Sequence, residues 1–179
     1  MGTLEGDNNQ FVQDIIVLTT GGTIEKTYDE SDGSLANRES QIHDLIRSKL
    51  RLPYTQIQVC ALMAKDSLQM DDDDRNIIVE AIEQHGSLGS PIVVLHGTDT
   101  MQTSATLAFE KLKDLTIPVV FTGAMKPMGF DDTDAIQNLT EALLAAKLLS
   151  PGVYISFHNR VFPLPGVRKN RAIRTFESI

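Results

Sequence analysis

Unbroken runs of branched apolar residues recur along this chain, separated by stretches with helical spacing. Ile15-Ile16-Val17-Leu18, Ile92-Val93-Val94-Leu95 and Val119-Val120-Phe121 offer no polar face at all. A strand reads this way when it is covered on both sides, as in a parallel sheet. These runs predict strands near 14–19, 91–95 and 118–122. Residues 57–63 alternate instead, which predicts a half-buried strand, and 152–157 (Gly-Val-Tyr-Ile-Ser-Phe) predicts a last one. Between them, spacing predicts helices near 38–50, 71–85, 100–113 and 133–149. The second opens on Asp71-Asp72-Asp73-Asp74, suited to a positive helix end, with Ile77, Ile78, Ala81 and Ile82 as its apolar face. The third turns Ala105, Ala108, Phe109 and Leu112 inward, and the fourth Ile136, Leu139, Leu143 and Ala146. Residues 20–38, with Tyr28, Asp29, Asp32, Gly33 and Ser34, read as a loop. Strand and helix alternate, so the expected class is α/β: a doubly wound, mostly parallel sheet flanked by helices, flavodoxin- or Rossmann-like.

Composition narrows the class little but excludes several partners. The 179 residues are 41% hydrophobic and 22% charged, ordinary for a globular domain. A net charge of -8 without a basic run argues against nucleic acid or an anionic membrane as the main partner. Cys60 is the only cysteine, so no intramolecular disulfide can form. No apolar stretch approaches the ~20 residues of a membrane span. Residues 1–10 are polar and acidic, unlike a signal peptide, and are expected to be disordered. One soluble α/β domain over 11–179, in the cytoplasm, is the expectation.

The chemistry concentrates where two predicted strands end. Thr19-Thr20-Gly21-Gly22-Thr23-Ile24 follows the first, and His96-Gly97-Thr98-Asp99-Thr100-Met101 follows the strand at 91–95. Open α/β sheets hold ligands at the carboxyl ends of their strands. A threonine hydroxyl can serve as a nucleophile, and adjacent glycines admit backbone N–H groups close to a substrate. Asp99 also suits the cap of the following helix, Ser67 the cap of the helix at 71–85, and Lys169 a surface charge beside Arg168, Arg171 and Arg174. The four aspartates lack the alternate spacing of a calcium loop. His43, His85, His96 and His158 lack metal-ligand spacing, and His96 suits a role in ordering its own loop. No Gly-x-Gly-x-x-Gly or Gly-Lys-Ser/Thr pattern accompanies the glycine pair, so neither a metal nor an organic cofactor is expected.

Five segments, in order, resemble the bacterial-type L-asparaginases. Thr20-Gly21-Gly22-Thr23-Ile24 and the His96–Met101 segment look like that family's two signatures. Asp66-Ser67-Leu68-Gln69-Met70 is similar to its Asp-Ser-x-Asp-Met segment, with Gln69 replacing the second acid. Phe121-Thr122-Gly123-Ala124-Met125-Lys126-Pro127 is similar to its Val-Gly-Ala-Met-Arg-Pro segment, and Val167-Arg168-Lys169-Asn170 to the stretch with the catalytic lysine. The resemblance implies hydrolysis of an amino-acid amide through an acyl-threonine. In it Thr23 is the nucleophile, Tyr28 a proton relay, and Thr98 with Lys169 the unit activating water or the second step. It further implies that Asp99 holds the substrate's ammonium, that Ser67 binds its α-carboxylate, that Gly97 lines the substrate site, and that backbone N–H groups by Gly22 and Thr98 face the oxyanion. Longer members continue into a second domain that supplies residues to a neighbouring protomer, whereas this chain reads as the single-domain form. A non-catalytic amino-acid-binding module or a transamidase-associated subunit is the competing expectation, and glutamine a plausible slower substrate. The apolar stretch Val161-Phe162-Pro163-Leu164-Pro165 is expected to form the contact of a homodimer or tetramer.

Overall fold

The computed structural model describes residues 12–37 and 42–179. In chain order the elements are β1 (Gln13–Gly21), β2 (Lys26–Tyr28), β3 (Leu35–Asn37), α1 (Ile42–Lys49), β4 (Thr55–Lys65), α2 (Asp72–Gly86), β5 (Ile92–Leu95), α3 (Met101–Lys111), β6 (Pro118–Thr122), α4 (Ala135–Leu148), β7 (Gly152–Phe157), β8 (Arg160–Pro163), β9 (Val167–Asn170) and β10 (Thr175–Ser178). Six strands form one sheet in the order β4-β1-β5-β6-β7-β8. All neighbours are parallel except β8, which returns antiparallel on β7.

The uninterrupted apolar runs are explained by cover on both faces. Ile16, Leu18, Ile92, Val94, Val119 and Phe121 pack with Ile78, Ile82, Met101 and Ala105 of α2 and α3. Their strand neighbours Ile15, Val17, Val93, Leu95 and Val120 point the other way, onto Ile42 and Ile46 of α1 and Leu139, Leu143 and Ala146 of α4. The sheet is therefore doubly wound, as expected from the pattern. Only β4 alternates, because it is an edge strand with β1 as its single partner in the sheet.

Several boundaries and faces differ from the sequence expectation. The strand expected at 57–63 runs from Thr55 to Lys65. The helix expected at 38–50 is seen over Ile42–Lys49, its first residues and the expected disorder of 1–10 lying outside the described residues. In α2 the buried apolar residues are Ile78, Val79, Ala81 and Ile82, and Ile77 is exposed, because the helix turns Val79 rather than Ile77 toward its neighbours. The loop at 20–38 holds a 3-10 turn (Thr23–Glu25) and the β2–β3 hairpin. Asx turns close that hairpin: the Asp29 carboxylate accepts from Ser31 N at 2.8 Å and Asp32 from Ser34 N at 2.8 Å.

The stretch 161–165 is also corrected. It is the β8 edge of the chain's own sheet, with Phe162 only 1% exposed and Leu164 buried, so most of its apolar surface is already covered. Val161, 37% exposed, remains outside, next to exposed Leu144 and Leu148 of α4.

Helix α2 begins with reciprocal bonds. The Asp71 carboxylate accepts from Asp74 N at 3.0 Å, and the Asp74 carboxylate accepts from Asp71 N at 3.1 Å. Lys65 Nζ at the end of β4 also grips Asp74, at 2.6 and 2.7 Å. The Lys65 ammonium and the Asp71 amide hold the Asp74 carboxyl below its usual range, against a desolvation that raises it. A depressed carboxyl stabilises the fold above its unfolded pKa, and that contribution is lost as acid titrates it. Asp71→Ala removes one bond of the box, and is expected to cost about 1 kcal/mol and lower Tm by roughly 2–4 °C in thermal unfolding. An unchanged Tm would mean the box carries no stability.

Candidate active site

In this strand order, β1 lies between β4 and β5, and successive connections leave it in opposite directions. Such a switch opens a crevice at the carboxyl ends of β1 and β5. The two threonine-rich loops enter it and touch. Gly22 has φ +80, and a Cβ built there would lie 2.4 Å from Gly97 N. A Cβ at Gly97 would lie 2.6 Å from Ser67 Oγ. Only glycine allows approaches this close, so the glycines let the loops after β1, β4 and β5 converge.

Hydrogen bonds fix the convergence. Thr20 Oγ1 donates to Leu95 O at 2.8 Å, and Thr100 Oγ1 donates to Ser67 O at 2.8 Å. The buried Glu25 carboxylate accepts from Gly21 N at 2.7 Å. Lys26 Nζ reaches Asp66 at 3.1 Å, and Asp66 in turn caps the short turn of Ser67 by accepting from Leu68 N. The Leu68 N–H and Lys26 hold the Asp66 carboxyl low, against its partial desolvation.

Thr23 opens the 3-10 turn beside this contact and is half-buried. Among the described residues its hydroxyl makes no hydrogen bond. Thr98 lies across the crevice, buried, and its Oγ1 receives a hydrogen bond from Lys169 Nζ at 2.7 Å. Lys169 also meets Asp99 Oδ1 at 3.1 Å, and its side chain is only 12% exposed. Arg171 Nη2 forms an ion pair with the same Oδ1 at 2.9 Å. Asp99 does not cap α3: Thr100 holds that position, without a side-chain bond. Ser67 does not cap α2 either, because Asp71 does.

His96 orders its loop, as its place in the sequence suggests. It is fully buried, and burial lowers its pKa to about 4, so the ring is neutral near pH 7. Nδ1 lies 2.8 Å from Gly97 O, which can only accept, so Nδ1–H donates. Nε2 then accepts from the Ser104 hydroxyl at 2.8 Å. This pins the Gly97 carbonyl within its loop.

Tyr28 is not brought into the cluster. It sits on the β2–β3 hairpin, 61% exposed, and its hydroxyl lies 3.9 Å from where a Cβ at Gly33 would be. Tyr28 ends β2, in a two-stranded hairpin separate from the main sheet.

Lys169 stands on β9, in a hairpin outside the main sheet. Its strand partner Phe176 is buried and meets Phe157 edge-on at 5.1 Å. Beside it, His158 Nδ1 is 3.1 Å from Thr175 Oγ1, and Nε2 donates to Asp134 Oδ2 at 3.1 Å. Asp134 accepts from Met125 N and Lys126 N, at 2.9 Å each, and from Asn138 Nδ2 at 3.0 Å. Sequence reasoning missed this network, Glu25, the Lys26–Asp66 pair and the Arg171 contact. Of these, only Glu25, Lys26 and Arg171 lie within a few residues of a threonine-rich loop or the lysine. Among the described residues no three His, Cys, Asp or Glu side chains are arranged to hold a metal ion. No helix of the described residues is long and apolar enough to cross a membrane.

The family model for the N-terminal part of asparaginase matches residues 14–179. The L-asparaginase of Thermococcus kodakarensis is 32% identical over 168 residues, covering 92% of this chain and 51% of that protein. The solved structure of the thermostable L-asparaginase from that organism superposes with a TM-score of 0.85 at 28% identity, over 93% of this chain and 51% of that one. A glutamyl-tRNA(Gln) amidotransferase subunit of Methanococcus vannielii is 30% identical over 158 residues, 87% of this chain and 36% of that protein. The chain thus spans about half the length of the first relative and about a third of the second. With its converging threonine loops, its lysine on a separate hairpin and a match over 14–179, the chain belongs to the asparaginase family, of which it carries the N-terminal domain.

Proposed function

We propose that this chain hydrolyses the side-chain amide of L-asparagine, releasing ammonia and aspartate through an acyl-threonine. The observation that carries the reading is the 2.7 Å bond from Lys169 to Thr98, on a loop that meets the Gly22 loop bearing Thr23. In the first step Thr23 Oγ1 attacks the amide carbon, its proton is passed to the departing nitrogen, and ammonia leaves. In the second, water attacks the ester while Thr98 and Lys169 manage its proton, and aspartate is released. Backbone N–H groups by Gly22, Gly97 and Thr98 face the oxyanion, an arrangement worth about 3–4 kcal/mol per donor. Ser67, packed under Gly97, holds the α-carboxylate, and Asp99 the α-ammonium. Tyr28 acts as relay when its hairpin folds over Thr23. Cofactors take no part in these steps. A homodimer or tetramer completes the reading, with exposed Leu144, Leu148 and Val161 as the apolar side chains available to it.

A second reading, a subunit that supplies ammonia to a transamidase, draws on the glutamyl-tRNA(Gln) amidotransferase relative. The two are separated by incubating the purified chain alone with L-asparagine or L-glutamine. Ammonia and aspartate are expected in equal amounts from asparagine, with slower release from glutamine. Silence with both amides favours the second reading.

A further inference from the structure

One oxygen of Asp99 serves two cations. Lys169 Nζ lies 3.1 Å and Arg171 Nη2 2.9 Å from Oδ1, so a single carboxylate faces two positive groups and this corner of the crevice is net positive. The two cations are not alike. Lys169 is held on β9, nearly buried, and also bonded to Thr98. Arg171 is 71% exposed and makes no hydrogen bond and no other ion pair among the described residues. It lies just past the end of β9, where the hairpin turns.

We propose that Arg171 is a specificity-determining residue: its guanidinium competes with a substrate's α-ammonium for Asp99 and tilts the site toward amides without a positive charge at that carbon. The inference rests on the reading of Asp99 as the ammonium ligand. An ammonium can reach Asp99 in two ways. It can take Oδ2, which accepts no side-chain hydrogen bond among the described residues, and then it meets the guanidinium across one carboxylate. Or it can displace Arg171 from Oδ1 and lose that ion pair. Both routes weaken binding of an amino-acid amide, by about threefold to tenfold at a solvent-exposed pair of this kind. An amide with hydrogen in place of the ammonium, such as succinamate, meets neither cost, because Arg171 stays on Asp99. Lys169 cannot be released in the same way, since Thr98 also holds it.

The test compares the wild type, Arg171→Ala and Arg171→Lys with L-asparagine and succinamate. Arg171→Ala is expected to lower KM for asparagine about threefold to tenfold and to leave KM for succinamate within about twofold. Arg171→Lys keeps the charge and is expected to keep the wild-type ratio of the two KM values. Equal changes for both substrates, or a higher KM for asparagine in Arg171→Ala, would overturn the proposal. If the wild type hydrolyses neither amide, the amidase reading fails on its own, and calorimetric binding of L-aspartate and succinate to the same proteins decides about Arg171. Tighter aspartate binding in Arg171→Ala, with succinate unchanged, supports it. Parallel shifts, or no aspartate binding by any of the three, overturn it.

Discussion

Thr23→Ala is expected to fold normally and to release ammonia from L-asparagine at least ~10³-fold more slowly than the parent. Thr23 begins a 3-10 turn whose geometry depends on Gly22 and on the Glu25–Gly21 bond, neither of which uses the Thr23 hydroxyl. Removing that hydroxyl therefore takes away the bond-forming atom while leaving its frame. Its neighbour on that lip of the crevice cannot replace it: Thr20 is buried and spends its hydroxyl on Leu95 O. Steady-state ammonia release, with circular dichroism to check the fold, measures the effect. Residual activity above about a tenth of the parent would remove Thr23 from the nucleophile role.

Lys169→Met should reduce kcat by about 10²-fold or more while changing KM much less. Methionine keeps most of the length of the side chain, and Phe176 and the His158–Thr175 contact still root the hairpin. What disappears is the ammonium that donates to Thr98 at 2.7 Å and to Asp99 at 3.1 Å. A group that works on a proton in motion is missed in the transition state more than in the bound substrate. Full kinetic curves for asparagine give the split. Parental kcat in this variant would mean that the Thr98–Lys169 pair serves structure alone.

The sheet is legible in the sequence because its strands are buried on both faces, which forces unbroken runs such as Ile92–Leu95. The edge strand β4 is legible for the opposite reason, since one side faces outward and its pattern alternates. Short hairpins are not legible. β2 and β3 are three residues each, too short for a period to emerge, and their pairing is set by Asx turns instead. The phase of α2 is misjudged at Ile77 because three consecutive apolar residues, Ile77-Ile78-Val79, leave the rotation of a helix undetermined until its neighbours are known. Val161–Pro165 is misread as an uncovered surface for the same reason: an apolar run does not say which partner covers it. At the site, the threonine loops and Lys169 can be read from local motifs. The ion pair of Arg171 and the tether through Asp134, His158 and Thr175 cannot, because they join residues with no common motif.

The two bonds that bind the crevice together span large stretches of chain: 75 residues from Thr20 to Leu95, and 71 from Thr98 to Lys169. Such closures join parts of the chain that no local helix or turn brings together. Thr98 and Lys169 therefore meet only where β5 and the β9–β10 hairpin are both in place. In the proposed reading, a chain without that hairpin displays the threonines without the lysine, and hydrolysis requires the completed topology.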